Sequence, residues 1–312
     1  MLLTLCLILL LILLLPNLIV YFHAYKFTHY KNINHSASIN TGNQTLIRKM
    51  KLLFLGIDNP RPQNKLKPKG TFETLKIKSN VALDCWLIKS ELSKGTVILF
   101  HGYNGAKSLM IEKAEVFISL GYHTLLVDFM GSGESESNQT TIGFYEAEEV
   151  KTTFEYIKKM GEKNIILFGT SMGAAAIMKA ENDYHLSPSA IIIECPFGSM
   201  LESVRIRFKK MNLPHFPLAN LLVFWGGLLN GFNAFKHNPS EYARTIKTPT
   251  LIIYGKKDDK VSQKEINDIF TNLKGSKTLQ TYPLAGHDNY LLRYKPRWTA
   301  DIRSFLFSTH IK

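Results

Sequence analysis

The chain of 312 residues is poor in cysteine, poor in acidic residues and, over its first 25 positions, without any charged side chain. Each shortage excludes something. Three cysteines (Cys6, Cys85 and Cys195) are too few, and odd in number, for a disulfide framework. None belongs to a Cys-x-x-Cys pair, and no His-Glu-x-x-His occurs, so the sequence calls for neither a metal nor another cofactor. Cys85 and Cys195 sit in or beside strand-like runs and read as buried free thiols. Against 25 acidic residues stand 38 Lys and Arg, a net charge of +13. Residues 26–70 hold nine of the basic residues and one acid, Asp58, which is 9 − 1 = +8. A basic stretch of this kind meets nucleic acid or anionic lipid headgroups. No nucleic-acid motif or regular Lys/Arg–aromatic interleaving accompanies it, and its place beside an apolar segment favours lipid.

The run Leu2 to Phe22 is almost wholly apolar and about as long as a bilayer-spanning helix. Pro16 and Asn17 interrupt it. It has no basic start and no small-residue cleavage site, the marks of a secretory signal. The reading is an uncleaved single-pass anchor over 1–25. Tyr21, Phe22, Tyr25 and Tyr30 form an interfacial belt. Lys26 and Lys31 follow the anchor and place the rest of the chain on the cytoplasmic side. Residues 26–70 then form a basic juxtamembrane linker: 32–45 is polar and aperiodic, 46–57 is a short basic amphipathic helix, and 59–68 is an extended loop rich in Pro.

From Phe72 the pattern changes. A strand–turn–strand, Phe72–Lys78 and Val81–Ile88, precedes short apolar runs at Thr96–Phe100, Tyr122–Val127, Ile165–Phe168, Ala190–Ile193, Thr250–Tyr254 and Thr278–Tyr282. Helix-length segments alternate with them, at about 107–120, 143–161, 172–183, 262–274 and 290–307. Such alternation predicts an α/β domain over 71–312, its mostly parallel sheet covered by helices on both faces. Only 196–242, rich in Phe, Leu and Gly, breaks the rhythm. It reads as a lid insertion over an apolar pocket.

The chemistry gathers at strand ends. Gly169-Thr170-Ser171-Met172-Gly173 follows an apolar strand and opens an Ala-rich helix, the setting of a strained nucleophile elbow. A serine hydroxyl needs a base, and the expected chain order is serine, acid, histidine. Asp258 stands in the loop after the seventh strand, with Asp259 as its nearest competitor and Glu194, ending the sixth, as a more distant one. His287 stands in the Gly-containing loop before the last helix; His101 and His123 do not have that position. The backbone amides of Met172 and of Tyr103, in the loop His101-Gly102-Tyr103-Asn104-Gly105, supply the oxyanion hole.

These motifs resemble the α/β-hydrolase superfamily, within its lysophospholipase, monoacylglycerol lipase and serine aminopeptidase-like group. The resemblance covers about 72–309. It rests on His101-Gly102, the Ser171 elbow, Gly255-x-x-Asp258-x-x-Val261, Gly286-His287 and Asp128-Phe129-Met130-Gly131-Ser132-Gly133-Glu134-Ser135. The last looks like the family's Asp-x-Arg-Gly-x-Gly-x-Ser loop, with Met130 where Arg is common. It implies a serine hydrolase that forms an acyl-enzyme. Anchor, lid and basic flank together direct the expectation to a lipid-like acyl ester, a lysophospholipid or monoacylglycerol. Thioesterases and peptidases or amidases share the motifs, and a non-catalytic membrane-tethered binding protein would share the fold.

Overall fold

Strands of five to seven residues that are apolar on both faces need cover on both sides, and the chain supplies it. The computed structural model describes residues 2–32 and 46–309; the side chains of 6–9, 11–13, 46 and 49 also lie outside the description. Besides a two-residue ladder between Tyr30–Lys31 and Asn59–Pro60, the eight strands of the main sheet are β1 Glu73–Lys78, β2 Ala82–Ile88, β3 Thr96–Phe100, β4 His123–Val127, β5 Ile165–Thr170, β6 Ala190–Glu194, β7 Thr250–Gly255 and β8 Lys277–Tyr282. The helices are α1 Leu2–Thr28, α2 Leu46–Leu55, α3 Ile111–Ser119, α4 Glu146–Lys159, α5 Met172–Tyr184, α6 Met200–Lys210, α7 Leu218–Leu229, α8 Gln263–Asn272 and α9 Tyr290–Ser308, besides single-turn pieces.

Two compact units emerge. Residues 62–199 and 238–312 form the first, which contains one sheet in the order β1-β2-β4-β3-β5-β6-β7-β8. Only β2 runs against its neighbours; from β4 to β8 every pairing is parallel. The strand order reverses around β3, which lies between β4 and β5, and open parallel sheets bind ligands at the carboxyl edge of such a reversal. One face of the sheet is buried by residues including Phe100, Leu167 and Ile252 with Val150, Ile177 and Ile266 from the helices. The other face carries Leu99, Phe168 and Ile253 with Phe117, Trp298 and Ile302. Each such side chain contributes roughly 1.5–3 kcal/mol on burial. The helix α8 is closed by a reciprocal cap, Ser262 accepting from the Glu265 amide and Glu265 from the Ser262 amide.

Residues 1–61 and 200–237 form the second unit, which holds α1, α2, α6 and α7. One face of α1 packs on α7: Trp225 Nε1 donates to Asn17 Oδ1 at 3.0 Å, and the Tyr21 ring stands edge-on to Trp225 at 5.3 Å. Val20 and Ala24 complete that face and are buried, as are Ala219, Val223 and Gly227 on α7. Leu14, Leu18, Phe224 and Leu228 on the same two helices are exposed. Lys26 and Lys31 both pair with Asp58 at 2.9 Å. The expected transmembrane helix over 1–25 gains no support here. Among the described residues no helix is long and apolar enough to cross a membrane. Pro16 and Asn17 lie within α1, and from Asn17 onward one side of it is committed to protein rather than lipid.

Candidate active site

Between the last residue of β5, Thr170, and the first of α5, Met172, the chain must turn within one residue. Ser171 does this with φ 52° and ψ −107°, a conformation costly for any residue with a Cβ. The turn works because its neighbours are bare. A Cβ at Gly169 would lie 2.6 Å from the carbonyl carbon of Gly173, and one at Gly173 would lie 2.5 Å from the Phe100 oxygen. The Ser171 amide donates to the Glu194 carbonyl at 2.8 Å, and the Ser171 carbonyl accepts from Ala175 at 3.0 Å, the first bond of α5.

The loops after β7 and β8 meet this turn. Ser171 Oγ lies 3.2 Å from His287 Nε2, and His287 Nδ1 lies 2.8 Å from Asp258 Oδ2. With the proton on Nδ1, the imidazole donates to the carboxylate and accepts from the serine. Asp258 is fixed through its other oxygen, which accepts the amides of Lys260 and Val261 at 2.8 and 2.9 Å. Its side chain is fully shielded and that of His287 nearly so. Burial disfavours the imidazolium, but the Cys195 sulfur and the Asp258 carboxylate favour it more strongly, and the His287 pKa lies above the ordinary imidazole value.

The loop after β3 runs beside the serine: a Cβ on Gly102 would lie 3.3 Å from the Thr170 oxygen and 3.6 Å from Ser171 Cβ. Tyr103 follows Gly102 directly, and Met172 opens α5. His101 is occupied elsewhere. It accepts the Phe129 amide at Nε2 (3.1 Å) and faces the Gly102 carbonyl with Nδ1 (2.8 Å), and burial lowers its pKa. His123 begins β4, whereas Ser171 and His287 follow the ends of β5 and β8; its Nδ1 accepts the Ser90 amide. Asp259 is exposed, and Glu194 is bonded to Lys113, Thr170 and Trp298 rather than to His287.

Sequence reasoning missed Cys195, whose Sγ is 4.0 Å from His287 Nε2. Its only signal was its place directly after β6, at the same sheet edge. Among the described residues, two groupings have the donor set of a metal site: Cys195–Asp258–His287 and Asp84–Asp128–Glu134. The second encloses the Lys107 ammonium, 2.5–2.7 Å from all three carboxylates, and that cation fills it.

Residues 91–223 match the family profile described as Hydrolase_4, serine aminopeptidase, S33. The chain is 26% identical to YqkD of Bacillus subtilis over 216 residues, 68% of this chain and 70% of that protein. It is 27% identical to lysophosphatidylserine lipase ABHD12 of Danio rerio over 180 residues, 55% of this chain and 46% of the lipase, so it spans less than half of that relative. The Pyrococcus furiosus esterase PF2001 superposes with a TM-score of 0.66 at 23% identity, covering 80% of this chain and 96% of the esterase. The fold and the profile define a serine hydrolase. Over residues 91–223 the chain matches that family, and its fold is the one the α/β-hydrolase superfamily has.

Proposed function

We propose that this chain hydrolyses acyl esters through Ser171, His287 and Asp258. The observation that carries the reading is the continuous relay from Ser171 Oγ to His287 Nε2 (3.2 Å) and from His287 Nδ1 to Asp258 Oδ2 (2.8 Å). Ser171 Oγ attacks the acyl carbonyl while His287 Nε2 takes its proton. Asp258 holds the imidazole and stabilises the imidazolium. The amides of Met172 and Tyr103 receive the carbonyl oxygen as it becomes negative, helped by the N-terminus of α5. His287 returns its proton to the leaving alcohol. Water, deprotonated by the same histidine, then releases the acid from Ser171. None of these steps calls on a cofactor.

The substrate we propose is a lipid-like ester, a lysophospholipid or monoacylglycerol, taken at a lipid surface to which the apolar N-terminal segment holds the enzyme. Three features support this: the exposed leucines of α1, the basic balance of residues 26–70, and a relative described as a lysophosphatidylserine lipase. The insertion between β6 and β7 is proposed as the lid.

The deciding experiment treats the purified chain with a fluorophosphonate and takes an intact mass, with Ser171→Ala in parallel. One adduct on the wild type and none on the variant is the expected result, followed by an acyl-chain series in which long-chain monoesters outrun acetate. Absence of labelling on folded protein, with or without lipid vesicles, would overturn the reading.

A further inference from the structure

Behind the nucleophile lies a buried ion pair that the reaction above does not use. Lys113 on α3 and Glu194 at the end of β6 are 1% and 0% exposed, with Nζ 2.6 Å from Oε2. Two further groups close around the carboxylate. Thr170 Oγ1 donates to the same Oε2 at 3.1 Å and accepts from Lys113 Nζ at 3.3 Å. Trp298 Nε1, from α9, donates to Oε1 at 2.7 Å. The fully buried indole stands edge-on to Phe117 and Phe168, so its donor is fixed in place.

Burying two opposite charges costs more desolvation than their attraction commonly returns, and an apolar pair of equal volume would often hold the fold as well or better. The position of this pair suggests what it does instead. Thr170 and Glu194 are register partners on adjacent strands, and both are the last residues of those strands. Immediately beyond, Ser171 leaves the sheet at φ 52°, its amide held by the Glu194 main-chain oxygen at 2.8 Å. Glu194 therefore grips the turn twice, at the Ser171 amide through its carbonyl and at the Thr170 hydroxyl through its carboxylate. A strained residue keeps its conformation only where its surroundings over-determine it. The next residue, Cys195, touches His287, so the same corner borders the base.

We infer that Glu194 and Lys113 are positioning residues, whose buried ion pair, with the Thr170 hydroxyl and the Trp298 indole, holds Ser171 in the strained conformation from which its hydroxyl meets His287. The inference rests on the reading of Ser171 as nucleophile. Glu194, placed by its strand end where an acid could serve a triad, serves here as the brace of the elbow.

Glu194→Gln tests this. Its amide must turn an N–H toward either the Trp298 donor or the Lys113 ammonium, and it leaves that ammonium without a counter-charge. In Lys113→Met/Glu194→Gln the carboxamide oxygen accepts from Trp298 while its N–H donates to Thr170 Oγ1, so the brace is rebuilt without charge. All variants are assayed where near-UV circular dichroism reports a native fold. The single variant is expected to lose about a hundredfold in kcat with KM unchanged, the effect of a misplaced reacting atom. Its rate of fluorophosphonate labelling should fall in step, and the double variant should recover most of both. If Glu194→Gln does not fold, Thr170→Val removes only the bridging hydroxyl and should show the same split at roughly a tenth of the size, a few-fold to tenfold loss in kcat. Folded Glu194→Gln or Thr170→Val with wild-type kcat and labelling rate would overturn the inference. Wild-type protein that takes no label at Ser171 would instead overturn the nucleophile reading, and this inference with it.

Discussion

The two units of this protein differ in how deeply they place their charges. The unit built on the sheet buries charge: Lys107 among three carboxylates, Lys113 against Glu194, and Asp258 behind His287. The unit of α1, α2, α6 and α7 keeps its ion pairs partly exposed, as at Asp58, and leaves leucines and phenylalanines uncovered. Buried charge must be held by directed bonds, and directed bonds at strand ends fix the positions of reacting groups. Uncovered apolar surface fixes no atoms and associates with other apolar matter. The first unit has the physics of a reaction site, and docking at a lipid surface is the role proposed for the second.

The largest expected effect falls wholly within the first unit. Ser171→Ala should lower kcat by about 10⁴-fold or more, and Asp258→Asn by about 10⁴-fold, because the asparagine leaves the imidazole in the wrong tautomer. Steady-state hydrolysis of a soluble aryl ester measures both. Neither variant should change co-sedimentation with anionic vesicles if the second unit does the docking. A fall in vesicle binding would break the comparison.

The pH profile is the next in size. His287 acts only when neutral; burial pulls its pKa down, and the Cys195 sulfur and the Asp258 carboxylate together raise it above 6.5. Accordingly kcat/KM should climb with pH and half-saturate on the alkaline side of the ordinary imidazole range. Asp258→Asn removes the carboxylate, so its residual activity should half-saturate at lower pH. A wild-type midpoint at or below 6.5 would mean that the buried charge is not what tunes the base.

In the second unit, Trp225→Ala removes the ring against Tyr21 and the donor to Asn17. Trp225 is only half-buried, so a loss of about 2 kcal/mol is expected, below the 3–5 kcal/mol of a full core Trp. Asn17→Ala should cost about 1 kcal/mol, one hydrogen bond. Chemical denaturation followed by far-UV circular dichroism would read both.

Much of the reacting unit was legible in the sequence. Apolar strands have a period and a length, glycines two residues either side of Ser171 mark a turn, and triad members fall in a set chain order. Asp258 was preferred over Asp259 by strand-end position, and the geometry pairs Asp258 with His287. Glu194 was weighed as an acid by the same rule, and its actual partners could not be read, because Lys113 and Trp298 lie 81 and 104 residues away. Cys195 escaped for the same reason. In the second unit, composition alone described α1 as a spanning anchor. The partner of its buried face, α7, is some 200 residues on, and nothing in local hydropathy announces that pairing.

Glu149 sharpens the contrast from inside the first unit. One of its oxygens accepts the Met130 amide at 3.0 Å, and the Asn80 side chain is its other polar neighbour. Residue 130 is where the family commonly carries Arg. Burial, and after it the nearby Glu146 carboxylate, raise the Glu149 pKa well above 4.5. A carboxyl whose folded pKa is raised contributes stability that is complete below its unfolded pKa and lost as pH climbs through the folded value. Glu149→Gln should therefore leave stability unchanged near pH 4 and raise it near neutrality, flattening the decline. Equal denaturation midpoints for variant and wild type at both pH values would show that the carboxyl titrates as it does in the unfolded chain.

The smallest effect belongs to Asp58, where the second unit places its charge. Burial, the largest single influence, raises its pKa, but Lys31 and Lys26 together lower it by more, and the sum is a carboxyl below 3.8. A depressed carboxyl contributes stability that is present above its unfolded pKa and lost as pH falls through the folded one. Its side chain is 37% exposed and the Lys31 side chain 57% exposed, so water and salt screen the attraction. Asp58→Asn should cost no more than about 1 kcal/mol, and 0.5 M salt should erase most of that. The Lys113–Glu194 pair, out of reach of the same ions, should respond to salt hardly at all. Denaturation midpoints of both variants at low and high salt measure the difference directly. A salt-insensitive loss at Asp58 would mean that its ion pairs are as enclosed as those behind Ser171, and the division of labour between the two units would fail at its electrostatic end.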